Sequence, residues 1–345
     1  MSTSDVSPVG PEATLLAATL EQLILGAWVS QAITAVAELG IADALADGPL
    51  SIGELATKVG ADPDALHRIL RALIGRGIFT HRPDGRYELT PLSELLRADS
   101  EISLAAVARF VGSRQHREHW SLLTEAIRTG SSVIPKLRGK SFFDYMGDDP
   151  EFGRIFDDAM TSFSEAATGP VIDAYDFTPY GTIIDIAGGH GRLLAAILAS
   201  SPTTQGVLYD LPHVIVGATS LLQEKHVAGR VRLVEGSFFD RIPTGGDAYL
   251  LKNIIHDWND DAALKILRNV RAASASGTVL LLIETVIPED DSESRGKLVD
   301  LEMLIINGRE RTASEYRQLL ADAGFQMIRV VETTSSLSVI EARGV

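Results

Sequence analysis

The sequence predicts an α/β protein: a doubly wound, mostly parallel sheet in the C-terminal half, preceded by an all-helical and winged-helix domain. Three observations carry this. Beyond Pro179-Tyr180-Gly181, short apolar runs alternate with helical segments, the texture of βαβ units with helices on both faces of a sheet. Before that point, apolar residues recur mainly at helical spacing, with one hairpin signal among them. A glycine-rich turn follows the first C-terminal strand, at the edge where open α/β sheets bind ligands.

From Glu12 to about Leu45 an apolar stripe runs through Leu16, Leu20, Leu23, Ile24, Ala27 and Trp28, a helical face that needs a partner. Leu50–Ala56 opens a helix, and Asp62 with Pro63 starts a second one that runs to Gly75, Asp as cap and Pro at the first position. Ile78-Phe79-Thr80 and Tyr87-Glu88-Leu89-Thr90 flank the turn Pro83-Asp84-Gly85, a hairpin. Helix, turn, helix and hairpin make a winged helix. Residues 51–98 carry seven Lys and Arg against six Asp and Glu. The second helix offers Arg68 and Arg71 among Leu66, Ile69, Leu70 and Leu73, whereas a DNA-reading helix shows a basic or polar groove face. Dimerisation is therefore the expected role. Residues 100–175 read as helices. Thr182–Ala187, Val207–Asp210, Val231–Glu235, Ala248–Lys252 and Val279–Glu284 read as parallel strands, and Phe325–Val331 and Ser336–Ala342 as two more. The expected divisions are 1–100 for the N-terminal winged-helix dimerisation domain, 101–175 for connecting helices, and 176–345 for the catalytic domain.

Composition narrows the function. The 345 residues carry a formal charge of −15, which disfavours nucleic acid and anionic membranes as partners. Cysteine is absent, consistent with a reducing cytoplasm and excluding thiolate chemistry. Met1–Pro11 shows no leader pattern. No apolar stretch is expected to reach the roughly 18–20 residues of a membrane span.

The chemistry-bearing residues lie where the predicted strands end. Asp185-Ile186-Ala187-Gly188-Gly189-His190-Gly191 precedes a helix, leaving its N-terminus open to a ligand. A dinucleotide fingerprint needs glycine three residues after Gly191, where Leu194 stands, so NAD is disfavoured. The opening acid, Asp185, matches S-adenosylmethionine sites instead. Asp210 closes the next strand, 21 residues beyond Gly189, placed to accept both hydroxyls of a ribose or, alternatively, to cap the following helix. His256 follows the fourth strand in Leu251–Trp258. Glu284 closes the fifth, and Glu310 lies in the turn Gly308-Arg309-Glu310-Arg311-Thr312. A histidine with a carboxylate at its other nitrogen is held in one tautomer and is a stronger base.

Taken in order, Asp185 to Gly191, Asp210-Leu211-Pro212-His213, Gly236-Ser237-Phe238-Phe239, His256-Asp257-Trp258 and Gly308 to Thr312 resemble S-adenosylmethionine-dependent O-methyltransferases of the caffeate/isoflavone type. The likeness is to their bacterial branch, which modifies anthracyclines, mitomycins and phenazines. The resemblance spans nearly the whole chain. It implies a Rossmann-like methyltransferase sheet, a homodimer and S-adenosylmethionine as cofactor. The cofactor would be held by Asp185, Gly188, Gly189, Asp210, Leu211, Ser237, Phe238 and Lys252. It also implies His256 as general base flanked by Glu284 and Glu310. A pocket including Phe156, Met160, Met303, Asn307 and Asp257 would take a small aromatic hydroxylated acceptor, and no metal is expected. Two positions depart from the pattern: Ala187 replaces a glycine, with only a tighter turn expected, and Ser237 replaces an acid that takes the adenine amino group. Two other readings stay open here. One is a same-fold tailoring protein that supports hydroxylation or decarboxylation, and the other is a winged-helix regulator on DNA.

Overall fold

The computed structural model describes residues 10–345, so the expectation about Met1–Pro11 lies almost wholly outside the described residues. The chain divides into two compact units, one running to Arg117 together with Glu151–Ser162, the other comprising Glu118–Pro150 and Phe163–Val345.

In the first unit, helices Pro11–Ile24 and Gly26–Glu38 follow one another with a single turn residue, Leu25, between them. Gly112, ending helix Ala105–Gly112, packs directly on Thr34, where any Cβ would collide with that side chain. Helix Ile52–Val59 starts with a capping box between Ser51 and Glu54, and helix Pro63–Ile74 is capped by Asp62 accepting from the Ala65 N–H, which satisfies otherwise orphaned donors. The hairpin follows as expected, β1 (Phe79–His81) antiparallel to β2 (Tyr87–Leu89). Leu55, Leu66, Leu70, Leu73, Phe79 and Tyr87 close a core beneath it with Val36 and Ile41.

The first helices leave Leu15, Leu16, Leu20, Leu23, Ile24 and Trp28 exposed, Trp28 by 73%. One expectation is corrected here. Glu12–Glu38 is 27 residues long and, by length and composition alone, apolar enough for a membrane span. Polar residues such as Thr19, Glu21 and Gln22 interrupt the apolar run, but Leu, Ile and Ala dominate the average.

The second unit holds a seven-stranded sheet. Its parallel strands are β3 (Thr182–Ile186), β4 (Gln205–Asp210), β5 (Val231–Glu235), β6 (Ala248–Lys252) and β7 (Val279–Glu284). A parallel pair, β8 (Val286–Ile287) with β9 (Arg311–Thr312), lies outside it. β10 (Phe325–Glu332) and β11 (Ser338–Gly344) complete the sheet antiparallel, in the order β10-β11-β7-β6-β3-β4-β5. Strand residues alternate between two cores. Ile183, Leu208, Leu250 and Leu281 face helix Arg192–Ser200 and the end of helix Pro150–Ala174. Ile184, Tyr209, Leu251 and Leu282 face helices Asp260–Ala273 and Ala313–Asp322. Burial on both faces explains why these strands read as nearly continuous apolar runs. Strand order reverses at β3, between β4 and β6, so the crevice for a ligand opens beyond the ends of these strands.

Candidate active site

The turn after β3 is built from left-handed residues. Gly189 and Gly191 have φ of 59° and 80°, and Ala187 also sits at φ 55°. The expectation that Ala187 merely tightens the turn is thus corrected: alanine occupies a conformation that costs an L-residue about 1–2 kcal/mol. At Gly188 the constraint is space, since a Cβ would come within 2.4 Å of the Asp185 carboxylate. Asp185 itself is buried at the end of β3. Burial pushes its carboxyl up to about 7, with Lys252 opposing and Asp210 adding to the rise. Lys252 ends β6 and donates to Ser164 Oγ at 2.6 Å. Burial lowers its ammonium to about 8 against the pull of Asp185 and Glu284.

Asp210 accepts one bond from the Gly189 N–H and one from the Leu211 N–H, both at 2.7 Å. Leu211, not Asp210, occupies the cap position of the short helix Pro212–Ile215. The carboxylate therefore fastens the glycine turn and keeps about two of its four lone-pair sites for a ligand. Beyond β5, Phe238 meets Phe239 and Trp258 edge-on, with Phe143 stacked on Trp258. Ser237 Oγ accepts from the Phe239 N–H.

His256 lies on a short turn after β6. Its Nδ1 is 2.9 Å from Glu310 Oε1 and 4.0 Å from Glu284 Oε2, while Nε2 is 3.4 Å from Asp257 Oδ1. An ionised carboxylate only accepts, so Nδ1 carries the proton and Nε2 is the basic nitrogen. Burial disfavours the imidazolium, but Asp257, Glu284 and Glu310 outweigh it and push His256 up to about 10. Burial raises Asp257 to about 6 and Glu284 to about 7, in each case against the pull of His256. Glu284 also staples the turn, its Oε1 accepting from the Ile254 and Ile255 N–H groups.

The β8–β9 pair sets the Gly308–Thr312 turn beside the end of β7, which places Glu310 near Glu284. Three contributors went unnoticed in the sequence. Arg311, only 1% exposed, donates to the carbonyls of Ile255, Trp258 and Arg309 and to Asp260. Gly308 lets the His256 carbonyl approach, since a Cβ there would lie 2.3 Å from it. Ser164 receives Lys252. The first two sit in the motif that supplied Glu310, where a buried arginine and a glycine of close approach were the available signal.

The structure therefore brings together His256, Asp257, Glu284 and Glu310, and joins Asp185, Gly188, Gly189 and Asp210 at neighbouring strand ends, with Lys252 within electrostatic reach of Asp185. Phe156 and Met160 belong to the first unit, where Phe156 meets Phe110 edge-on and Met160 is half-buried. In the second unit, Met303 is buried in helix Arg295–Ile306, and Asn307 caps that helix at φ 82°.

A doubly wound sheet carrying a glycine turn, a strand-end carboxylate and a carboxylate-held histidine at one edge defines a cofactor-dependent group-transfer enzyme. Comparison with known proteins narrows the class. The O-methyltransferase domain family matches residues 120–326, and the O-methyltransferase dimerisation domain family matches residues 21–99. The chain is 42% identical to the phenazine O-methyltransferase PhzM of Lysobacter antibioticus, over 95% of this chain and 96% of that one. It superposes on the mitomycin 7-O-methyltransferase MmcR with TM-score 0.88 at 34% identity, covering 97% of this chain and 100% of that one. The calicheamicin-biosynthesis methyltransferase CalO1, solved with S-adenosylhomocysteine bound, gives TM-score 0.86 at 32% identity over 98% and 100%. The chain belongs to the O-methyltransferase family. It is an S-adenosylmethionine-dependent O-methyltransferase of small natural products.

Proposed function

We propose that this enzyme methylates a phenolic hydroxyl of a small aromatic or polyketide-like metabolite, with His256 as general base and without a metal. The observation that supports this best is the 2.9 Å contact between His256 Nδ1 and Glu310, which keeps the proton on Nδ1 and makes Nε2 the nitrogen that takes the acceptor's proton once it is itself deprotonated.

The residues present fit the cofactor. Asp210 has acceptor capacity left after its two backbone contacts, which suits ribose hydroxyls. Asp185 and Asp210 give the crevice the acidic lining that a sulfonium and an ammonium require. When bound, S-adenosylmethionine supplies an electrophilic methyl group on a positively charged sulfur. In this reading Asp185, Gly188, Gly189, Leu211 and Lys252 hold the amino-acid and ribose ends, and Phe238 with Ser237 borders the adenine.

The base has a definite energetic problem. A phenol near pKa 10 gives its proton to an ordinary histidine near 6.5 at an uphill cost of about 5 kcal/mol. The carboxylates around His256 raise the imidazole toward the phenol, so the transfer is nearly level once Nε2 is free. The cost moves to freeing Nε2 of its proton at neutral pH, and activity therefore rises into the alkaline range. Glu310 holds the proton on Nδ1 and stabilises the imidazolium as it forms. Glu284 fixes the turn, and Met303, Asn307 and Asp257 are assigned to the acceptor side. The test is a screen of quinones, anthraquinones, phenolic acids and flavonoids, read by mass. The expected result is a gain of one methyl on oxygen, and exclusive hydroxylated or decarboxylated products would overturn the reading.

A homodimer is part of this proposal, with the cytoplasm as its compartment. The exposed apolar face of the first helices needs a cover, and the dimerisation-domain match over residues 21–99 favours a second copy over a bilayer. A monomer of 37 kDa by light scattering at micromolar concentration would refute it.

A further inference from the structure

A buried charge stands one residue beyond Glu310. Arg311 is 1% exposed, and a guanidinium taken out of water is tolerated only when its donors are met. Here they are all met. Nε donates to Asp260 Oδ1 at 3.1 Å, and Nη2 donates to the same oxygen at 2.8 Å and to the Trp258 carbonyl at 3.0 Å. Nη1 donates to the carbonyls of Ile255 and Arg309, each at 3.1 Å. These bonds use every N–H that a guanidinium side chain possesses.

The acceptors are not scattered. Ile255 and Trp258 bracket His256 and Asp257, and Arg309 immediately precedes Glu310. One planar group therefore spans the turn that carries the histidine and the turn that carries its carboxylate. Asp260, at the start of helix Asp260–Ala273 and 58% exposed, holds that group from the solvent side. Beside the His256–Glu310 contact itself, the other hydrogen bond joining the two turns among the described residues is Arg309 N–H to the His256 carbonyl, at 2.7 Å. A single backbone bond still lets one turn pivot against the other. The fork removes that freedom by gripping the chain on both sides of His256.

We propose that Arg311 is a positioning residue for the base: its guanidinium locks the His256 turn to the Glu310 turn and so sets the 2.9 Å separation of Nδ1 from Glu310 Oε1. This rests on the reading of His256 as that base. The donors of Arg311 are all taken by the protein, so it acts through the two turns and not on a substrate. Hydrogen bonds weaken with length and misalignment. Play between the turns therefore loosens the hold of Glu310 on Nδ1–H and lowers the proton affinity of His256. Lysine cannot take over, because a point charge with three donors does not reproduce the fork.

The charged and titratable groups facing this cluster are Asp257 at Nε2 of His256, Glu284 and Glu310 at Nδ1, Lys252 near Glu284, the Tyr316 hydroxyl, and Asp300, which accepts from the Glu310 N–H. Arg309 is turned outward to Asp260 and Glu315. Arg311→Lys keeps all of these together with the positive charge at 311, and removes only the fork. The variant thus separates geometry from charge.

The His256 ring is titrated by NMR in 15N-histidine-labelled full-length enzyme, alongside the pH profile of kcat/KM. In Arg311→Lys the ring titration and the acid limb both move to lower pH by about half to one unit, a three- to tenfold change in the protonation equilibrium. The plateau kcat falls about ten- to a hundredfold, the cost of a misplaced base. S-adenosylmethionine affinity by calorimetry stays at the wild-type value, which also confirms folding. A folded Arg311→Lys with an unmoved ring titration and an unmoved limb overturns the proposal and leaves Arg311 a structural residue. If Arg311→Lys fails to fold, Asp260→Asn decides. It loosens the solvent end of the clamp, while Asp261→Asn removes the same charge from the same helical turn outside it. The expected result is a downward ring shift of about twofold in the protonation equilibrium in Asp260→Asn alone; no shift, or the same shift in both variants, overturns the proposal. Full turnover in His256→Ala would instead overturn the base reading, while the ring titration of the Arg311 and Asp260 variants still decides the role of Arg311.

Discussion

Replacing Glu310 by glutamine isolates the electrostatic half of the base's support. The amide oxygen can still accept from Nδ1–H, so the tautomer is kept, but the negative charge 2.9 Å from the ring is removed. A hydrogen bond to a charged group contributes about 1.5–3 kcal/mol, which at 1.36 kcal/mol per unit is about one to two pH units. The sign follows from the state that acts. His256 is held above its ordinary value of 6.5 in the fold, and only the neutral ring is a base. In the wild type kcat/KM therefore climbs with pH through a limb well above 6.5. In Glu310→Gln that limb moves down by about one to two units, and kcat at its plateau falls because a weaker base faces the same phenol. The assay is S-adenosylhomocysteine formation across the pH range with one fixed phenolic acceptor. An acid limb that stays in place would refute the argument that Glu310 sets the basicity of His256.

Two further predictions concern the cofactor turn. Ala187→Gly relieves a left-handed alanine at φ 55° and costs unfolded-state entropy, for a net gain of up to about 1 kcal/mol; thermal denaturation showing a lower Tm would contradict the strain. Asp210→Asn leaves a single acceptor oxygen for the Gly189 and Leu211 N–H groups and the ribose together, so S-adenosylmethionine affinity by calorimetry should drop about ten- to a hundredfold. Unchanged affinity would reduce Asp210 to a staple of the turn.

Much of the fold was legible because its signals are local and periodic. Four of the five parallel strands stand out as short apolar runs buried on both faces, the edge strand β5 being largely exposed, and the Asp62 cap and the Pro83-Asp84-Gly85 turn are carried by their own residue types. The histidine–carboxylate set was legible for another reason: each member ends a strand or sits in a distinctive turn at one edge. What stayed hidden depends on contacts distant in sequence. The clamp of Arg311 on the Ile255–Trp258 carbonyls spans more than fifty residues, and the bond from Lys252 to Ser164 spans 88. Neither leaves a local periodicity. The membrane-length apolarity of Glu12–Glu38 escaped for the opposite reason, since scattered polar residues break the run without lowering its average enough. At Ala187 a residue small enough to pass as harmless stands where backbone handedness, not volume, is the constraint.

The central claim is that His256 takes the acceptor's proton while other residues hold the cofactor, and His256→Ala tests it most directly. Single-acceptor turnover and calorimetric S-adenosylmethionine binding are measured on the same preparation. The account predicts a loss in kcat of about 10²–10⁴-fold with cofactor affinity close to wild type. Turnover retained at about a tenth of wild type or better, outside the range expected for losing a general base, would contradict it.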